Sequence, residues 1–235
     1  MSYPYGFGIT FGDYHSFKDL NMVLSSRTVG LPDINTETVT IPGRHGYLDL
    51  SETLTGRVTY GNRTLEFNFG VLGGAKNWSE VMSGVTAEIH GKKLKIIQDD
   101  DPQYYMIGRC QVNAFKTNMT LAEISITCDC EPFRYEVEGV GEDWKWDPFS
   151  FSDGIIRESN YSVNGSLDIT LYNRDIPVSP TFNTSADMSV MFDGVTYSLP
   201  KGTTTIREIQ LQAGSNLLKL IGDGTVNISY RGGVI

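Results

Sequence analysis

Apolar residues recur at every second position through most of this chain, and turn dipeptides interrupt the pattern at short intervals. Successive side chains of a β-strand point to opposite faces of the sheet, so this period is typical of half-buried antiparallel strands. Leu65, Phe67 and Phe69, for example, alternate with polar residues after a Gly61-Asn62 pair. We interpret that segment as a tight hairpin with one buried face. The pattern predicts a mainly β fold.

One segment departs from this period and predicts a helix. Its large apolar residues recur at helical spacing and would form a single stripe, which consists of Trp78, Val81, Met82, Val85 and Ile89. Asn77 is placed to cap the start, with Glu80 as its capping-box partner. Gly91 is placed to adopt the left-handed conformation that ends a helix.

The segments after the helix complete a first sheet. Residues 93–98 read as a strand, residues 99–102 as a turn, and residues 104–130 as a long hairpin that turns at Thr117-Asn118. Glycine, proline and acidic residues then become frequent and the clean period is lost, which is typical of a domain junction. We place the boundary near Pro132.

This boundary predicts two domains, residues 1–133 and residues 134–235. The first is a β-sheet or β-barrel domain with one helix. The second contains short alternating segments and an Asp193-Gly194 pair, which is a strong hairpin signal. We therefore predict that the second domain is a β-sandwich.

The balance of charge limits the partners of the protein. Its 235 residues include 19 Lys and Arg against 28 Asp and Glu, a formal net charge of -9. Such a chain has few cationic side chains to displace the counterions of DNA or RNA, and an anionic membrane surface would repel it. No apolar stretch approaches the roughly 18 residues of a spanning helix. We expect no nucleic-acid binding and no membrane association.

The cysteines are predicted to be buried thiols. Cys128 and Cys130 lie two apart on a predicted strand and face the same side, whereas Cys110 stands alone, so the set gives no disulfide framework. Zinc would need four ligands, and only His90 could join the cysteines, without the paired short spacings of a zinc ribbon. We expect no metal and no cofactor.

The motif TIPGRHGYLDLS, residues 40–51, raises the question of a loop that binds phosphate. Gly43 or Gly46 would let the backbone approach a phosphate closely. No helix pattern follows the motif, so no helix N-terminus is available to hold the anion. A turn between strands is the favoured interpretation.

Catalytic patterns are weak in this sequence. The histidines are His15, His45 and His90, and no G-x-S-x-G elbow accompanies them. The paired carboxylates at Glu142-Asp143 and at residues 99–101 lie in segments that read as solvated turns. We expect a protein that is not an enzyme, and a wall-degrading activity remains a third hypothesis because its local signature would be weak.

Trp144 and Trp146 are the candidate carbohydrate contacts. Two aromatic side chains on one strand face can form a platform for the apolar faces of sugars. Tryptophans beside a domain junction also pack that junction, and this structural role is the favoured interpretation.

Several motifs, in this order along the chain, carry a family resemblance. IPGRHGYLDLSETL and YGNRTLEFNF are followed by the helix and by IHGKKLKIIQDDDPQYYMIGRC, and LQAGSNLLKLIGDGTVNISYRGG stands near the end. Together they resemble the distal tail proteins of siphophages, the Dit family. The first three motifs match the amino-terminal domain of that family, and the last matches the carboxy-terminal domain.

The resemblance implies a structural role in the virion. Members of this family form a homohexameric ring beneath the tail tube, with an amino-terminal belt domain related to tube proteins and a galectin-like β-sandwich. The ring joins the tail tube protein to the tail-associated lysin or tail fibre, and in many phages it also anchors receptor-binding proteins. We expect residues 1–133 to carry ring formation. The first residues lack the pattern of a signal peptide, so we expect synthesis in the host cytoplasm.

The resemblance also names candidate residues for the subunit interface. Arg44 matches the arginine of the family motif, and Tyr60, Asn62 and Arg63 belong to the second motif. His45 stands where a more acidic residue is expected.

The second domain departs from the galectin pattern. Galectins hold galactosides with a His-Asn-Arg set, but no histidine follows residue 133. A galectin-like fold therefore does not imply galactoside binding. The alternative function is a carbohydrate-binding module that recognises host cell-wall polymers through Trp144 and Trp146.

Overall fold

The computed structural model describes residues 8–73, 78–117, 122–137, 139–140 and 159–235. The chain divides into two compact units. The first takes the described residues of Met1–Asp101 and Tyr105–Arg134 together with Ile235, and the second takes those of Pro102–Tyr104 and Tyr135–Val234. Each unit has its own hydrophobic core. The prediction of a mainly β fold in two parts is confirmed, and the limits at residues 133 and 134 stay a prediction.

The first unit contains strands and the single helix found among the described residues. Its elements are β1 (Ile9–Phe11), β2 (Tyr14–His15), β3 (Met22–Val29), β4 (Thr38–Thr40), β5 (Tyr47–Asp49), β6 (Arg63–Val71), α1 (Trp78–Glu88), β7 (Lys93–Gln98), β8 (Asp101–Thr117) and β9 (Ala122–Cys130). Strands β2, β1, β7, β8, β9, β6 and β3 lie side by side in that order. Every neighbouring pair in this path is antiparallel.

Alternating side chains of the central strands build the core of the first unit. Leu65, Phe67 and Phe69 of β6 are fully buried, while the residues between them are exposed. The ring of Phe11 lies edge-on to the rings of Phe67 and Phe69, with centroids 5.7 and 6.2 Å away. Edge-to-face geometry is favourable for aromatic pairs and adds to the burial of apolar area. The buried face predicted for this segment is confirmed.

The predicted helix is also confirmed. Helix α1 buries Val81 and Val85, and Ile89 follows it directly in the core. Gly91 has a φ of +77°, the left-handed conformation expected at the end of a helix, and its N–H donates to the carbonyl of Cys110. The proposed cap, Asn77, lies outside the described residues.

The hairpin predicted at Gly61-Asn62 is wrong. Neither residue has the positive φ that a tight two-residue hairpin turn of type I′ requires. The N–H of Gly61 donates to the carbonyl of Asp33 instead, and Tyr60 forms an isolated bridge with Ile34. Strand β6 pairs instead with β3 and β9, neither of which follows from a turn at Gly61-Asn62.

The second unit is built from strands alone within its described residues. These strands are β10 (Arg134–Glu136), β11 (Asn160–Asn173), β12 (Thr181–Thr184), β13 (Met188–Phe192), β14 (Val195–Leu199), β15 (Gly202–Thr205), β16 (Gly214–Ser229) and β17 (Gly233–Val234). Strands β14, β13, β16, β12 and β15 are hydrogen-bonded in that order, and β11 pairs with β16.

Strand β16 organises this sheet. It pairs with β11 along its whole length on one edge, and with β13 and then β12 on the other edge. Gly222 and Gly224 separate these two halves, with φ values of +130° and +151°. The hairpin at Asp193-Gly194 is confirmed, since both residues have the positive φ of a tight turn.

Candidate functional site

Residues 31–62, here named the arm, leave the sheet of the first unit after β3 and return to it at β6. At the base of the arm the N–H of Gly30 donates to the carbonyl of Thr64 at 2.9 Å, and the N–H of Asn35 donates to that of Thr59 at 2.9 Å. A Cβ on residue 30 would lie 2.8 Å from the Thr64 carbonyl oxygen. Only glycine allows this approach, so the direction of the arm depends on it.

The tip of the arm is the loop of the motif that begins at Thr40. Strands β4 and β5 pair with each other, and the loop between them contains Gly43 and Gly46 with φ values of +82° and +77°. The N–H of Arg44 donates to the carbonyl of Ile41 at 3.1 Å, which closes the turn. The loop runs into β5 and not into a helix, so the interpretation of this motif as a turn is confirmed.

The arm exposes an unusual amount of apolar surface. Most of the large hydrophobic side chains that are exposed among the described residues lie in it, namely Leu31, Ile34, Val39, Ile41, Tyr47, Leu54 and Val58. Leu54 is 98% exposed and Leu31 is 78% exposed. No residue from Asp33 to Val58 is buried, so the arm has no core of its own. Exposed apolar side chains concentrated in one segment are typical of an interaction site.

The candidate interface residues occupy different environments. Arg44 and Asn62 are exposed, at the tip and at the base of the arm. Tyr60 is half-buried, and its ring lies edge-on to that of Phe133 with centroids 6.0 Å apart. Arg63 is only 2% exposed, so its side chain is not part of the surface that a neighbouring subunit would meet.

The buried guanidinium of Arg63 is poorly satisfied. Its Nη1 contacts Sδ of Met106 at 3.9 Å, and its Nε and Nη2 have no hydrogen-bond partner in the described part of the chain. Burial lowers the pKa of Arg63, and the charge of Arg134 lowers it further. A buried charge without a partner destabilises a fold.

His15 forms a structural pair with Asp99. Its Nε2 lies 3.1 Å from the nearer carboxylate oxygen of Asp99, and its Nδ1 accepts the N–H groups of Phe17 and Lys18. An Nδ1 that accepts leaves the proton on Nε2, which then donates to the carboxylate. Both ring nitrogens are therefore engaged, and this histidine has no lone pair to offer as a general base.

The predicted turn at residues 99–101 lies at the surface, where Asp100 is exposed, but its carboxylates form ion pairs that the sequence did not predict. Nη1 of Arg27 donates to Asp100 at 2.6 Å, and Nη1 of Arg134 donates to Asp101 at 2.8 Å. The hydrogen bond from Arg27 holds the pKa of Asp100 below its ordinary value. These carboxylates tie elements of the first unit together because cationic groups on neighbouring segments reach the turn.

The three cysteines are buried free thiols, as predicted. Cys110 and Cys128 are opposite each other on β8 and β9, and Sγ of Cys128 donates to Sγ of Cys110 at 2.9 Å. That hydrogen bond and burial raise the pKa of Cys128, and burial raises the pKa of Cys130 to about 12. Among the described residues no cluster of His, Cys, Asp or Glu is arranged to hold a metal ion.

The remaining histidines and the two tryptophans singled out in the sequence are placed as follows. Nδ1 of His90 accepts the N–H of Val112 at 3.1 Å, which ties the end of α1 to β8. His45 is exposed in the loop at the tip of the arm. Trp144 and Trp146 lie outside the described residues.

No helix in the described ranges is long and apolar enough to cross a lipid bilayer.

The second unit carries a polar surface that sequence reasoning missed. Ten uncharged polar residues on the outer side of β11, β16, β12 and β15, one of them the residue after β12, are named the amide face; other exposed residues of the same strands, such as Asp168 and Asp223, do not belong to it. They are Asn160, Ser162, Thr225, Asn227, Ser229, Thr181, Asn183, Thr203, Thr205 and Ser185. A groove of about 530 Å³ opens among them. The signal in the sequence is Asn, Ser or Thr at alternate positions of four strands, but only the topology brings the strands together.

The order of the strands and the two-unit organisation define a distal tail protein fold. The crystal structure of the SPP1 Dit protein (gp 19.1), described as a paradigm of the hub adsorption apparatus in phages that infect Gram-positive bacteria, matches this chain with a TM-score of 0.64. The match covers 96% of this chain and 99% of that chain at 14% sequence identity. No protein-family model and no curated protein sequence matches the chain. The Dit-like fold expected from the resemblance is confirmed, and the galectin-like character of the second unit stays a prediction.

Proposed function

We propose that this protein is a structural component of a phage virion, a distal tail protein that forms a homohexameric hub at the end of a long, non-contractile tail. The observation that carries the proposal is the fold, which is shared over 96% of the chain with a hub adsorption protein. The exposed arm supports the proposal independently, because an assembled ring would cover it.

The arm is suited to a contact between copies of this chain. Its apolar side chains are exposed within the described part of the molecule, and burying one leucine fully is worth about 1.5–3 kcal/mol. Strand β3, which leads into the arm, is an edge strand whose last five residues are exposed. Exposed edges are a liability that a neighbouring subunit can cover. A head-to-tail ring uses each such surface once and leaves no free end.

The remaining parts of the proposal come from the family resemblance. The hub joins the tail tube protein to a tail-associated lysin or tail fibre, and receptor-binding proteins are a further class of partner. Its second unit is galectin-like. The role requires neither catalysis nor a cofactor. The net charge of -9 suits a ring through which DNA passes without adhering to it.

A pair of matched substitutions tests the arm as the ring contact. Leu54 lies in the arm and is 98% exposed, whereas Leu217 lies on β16 of the second unit and is 68% exposed. Leu54→Asp places a charge in the proposed interface and should weaken assembly about tenfold or more, since a lost leucine contact exceeds 1.4 kcal/mol. Leu217→Asp is the control and should leave assembly unchanged.

The readout is the mass of the full-length protein by light scattering over a concentration series. Dissociation of the Leu54→Asp variant at concentrations where the wild type and Leu217→Asp are assembled supports the proposal. Equal masses for all three proteins would show that the arm does not hold the ring.

A further inference from the structure

The amide face is a regular array of uncharged polar groups. Asn160, Asn227, Asn183 and Thr203 are direct neighbours across β11, β16, β12 and β15. Adjacent strands lie about 4.8 Å apart, so this row is roughly 14 Å long. The side-chain amide of Asn227 donates to Oδ1 of Asn160 at 2.8 Å, which fixes the orientation of both groups.

Much of the hydrogen-bonding capacity of this face is unused. The side chains of Asn183, Ser162 and Thr203 make no hydrogen bond within the described part of the chain and are exposed. Each amide offers two N–H donors and a carbonyl acceptor, and each hydroxyl offers one donor and two acceptor lone pairs. Tyr161 belongs to the opposite face of β11, where it packs against the core of the second unit. The groove volume of about 530 Å³ lies within the range of small-ligand sites.

The composition of the face identifies its ligand chemistry. None of the nine residues that line the groove is charged. Paired donors and acceptors without charge match the vicinal hydroxyl groups of a sugar. A phosphate-bearing polymer would find no cation on this face and would be repelled by the net charge of -9.

We propose that the amide face binds an uncharged polysaccharide, with Asn160, Asn183 and Asn227 as its principal hydrogen-bonding residues. This goes beyond the hub function, because the ring would then contact the cell surface itself and would display several copies of the site. Multiple copies raise the avidity of a weak site without any new contact. The site uses residues of β11, β12 and β16, and does not depend on Trp144 or Trp146.

The test uses the full-length protein on an array of neutral oligosaccharides, with a glycerol-phosphate polymer as the anionic comparison. Asn183→Asp and Asn227→Asp keep the shape of the side chain but replace the amide donor with a negative charge. Gln210→Glu makes the same chemical change at an exposed residue of this unit that lies outside the face. Thermal unfolding and the oligomeric mass are measured on every sample.

We expect the wild-type protein to bind a neutral glycan saturably. The affinity should fall about tenfold or more in Asn183→Asp and Asn227→Asp, because the loss of one hydrogen bond to the ligand is sufficient for such a change. The affinity of Gln210→Glu should equal that of the wild type. The mass should not change in either variant, and the unfolding temperature should not change in Asn183→Asp, because only Asn227→Asp also removes a hydrogen bond within the protein, the one to Asn160. The proposal is overturned if no neutral glycan binds, if only the phosphate polymer binds, or if both face variants bind as the wild type does. A loss of oligomeric mass in the face variants would also overturn it, because the face would then be a protein contact. The ring assay with Leu54→Asp distinguishes any of these failures from failure of the hub proposal.

Discussion

The guanidinium Nη1 of Arg63 lies 3.9 Å from Sδ of Met106, and this weak contact is the single hydrogen bond of the Arg63 side chain within the described residues. The side chain is 2% exposed and therefore has no access to water in the folded chain. Removing an unpaired buried charge while keeping the packed volume should stabilise the fold. We predict that Arg63→Met raises the free energy of unfolding by about 1–3 kcal/mol in urea denaturation.

The control for this prediction is Arg44→Met, because Arg44 is exposed in the arm. A surface substitution of this kind should change the free energy of unfolding by no more than about 0.5 kcal/mol. A clear loss of stability in Arg63→Met would contradict the interpretation, since it would show that the guanidinium is paired in the native protein.

The ion pair between Arg27 and Asp100 predicts a dependence of stability on pH. The hydrogen bond from Arg27 lowers the pKa of Asp100 in the folded state, so the pair contributes stability above the unfolded pKa of about 3.9 and loses it as the pH falls through the folded value. We predict that Asp100→Asn costs about 0.5–1 kcal/mol at pH 7, the range of a partly exposed pair, and much less at pH 3. The measurement is urea denaturation at both pH values.

Asp168→Asn provides the comparison, because Asp168 is exposed on β11 of the other unit. Its effect should be small at both pH values. An Asp100→Asn effect that is the same at pH 3 and pH 7 would show that the carboxylate charge is not what stabilises this turn.

Alanine substitutions at Gly30, at the base of the arm, and at Gly84, in α1, should have opposite effects on the free energy of unfolding. A Cβ on residue 30 would lie 2.8 Å from the carbonyl oxygen of Thr64, whereas a Cβ on Gly84 of α1 would meet nothing within 4 Å. We predict that Gly30→Ala costs about 1–3 kcal/mol and weakens assembly. Gly84→Ala should instead gain about 0.5–1 kcal/mol, since alanine has less backbone entropy to lose. Equal stability of the two variants would contradict the geometry at Gly30.

The buried thiols predict slow chemical modification. The thiolate is the reactive species, and a pKa of about 12 leaves on the order of one Cys130 side chain in ten thousand ionised at pH 8. The hydrogen bond to Cys110 and burial raise the pKa of Cys128 as well. We predict that iodoacetamide at pH 8 labels these two cysteines slowly in the native protein and rapidly in urea, as measured by mass spectrometry. Rapid labelling of the native protein would show that β8 and β9 separate readily.

Local patterns were sufficient to predict several elements. The stripe of Val81, Val85 and Ile89 predicts α1 because three or four residues separate neighbours on a helix surface. The period of two in residues 93–98 predicts β7 over its observed range. The same period also placed Arg63 in phase with the buried Leu65, so burial of that arginine could have been predicted from the sequence.

Features that depend on distant contacts could not be predicted in this way. The ion pairs of the turn at residues 99–101 were not predicted, because the cationic partners Arg27 and Arg134 lie 73 and 33 residues away in the chain. The row of Asn160, Asn183 and Asn227 arises only when β11 and β12 pair with opposite edges of β16. The ion pairs of the turn and the row of asparagines both depend on the order of the strands, which a local sequence pattern does not contain.

Images of the negatively stained full-length protein are the most direct test of the proposal that this chain assembles into a hub. They should show six-fold rings with a central hole, with a mass of six chains of 26.1 kDa each, about 157 kDa. Single-chain particles at every concentration, or a closed oligomer without six-fold symmetry, would contradict it.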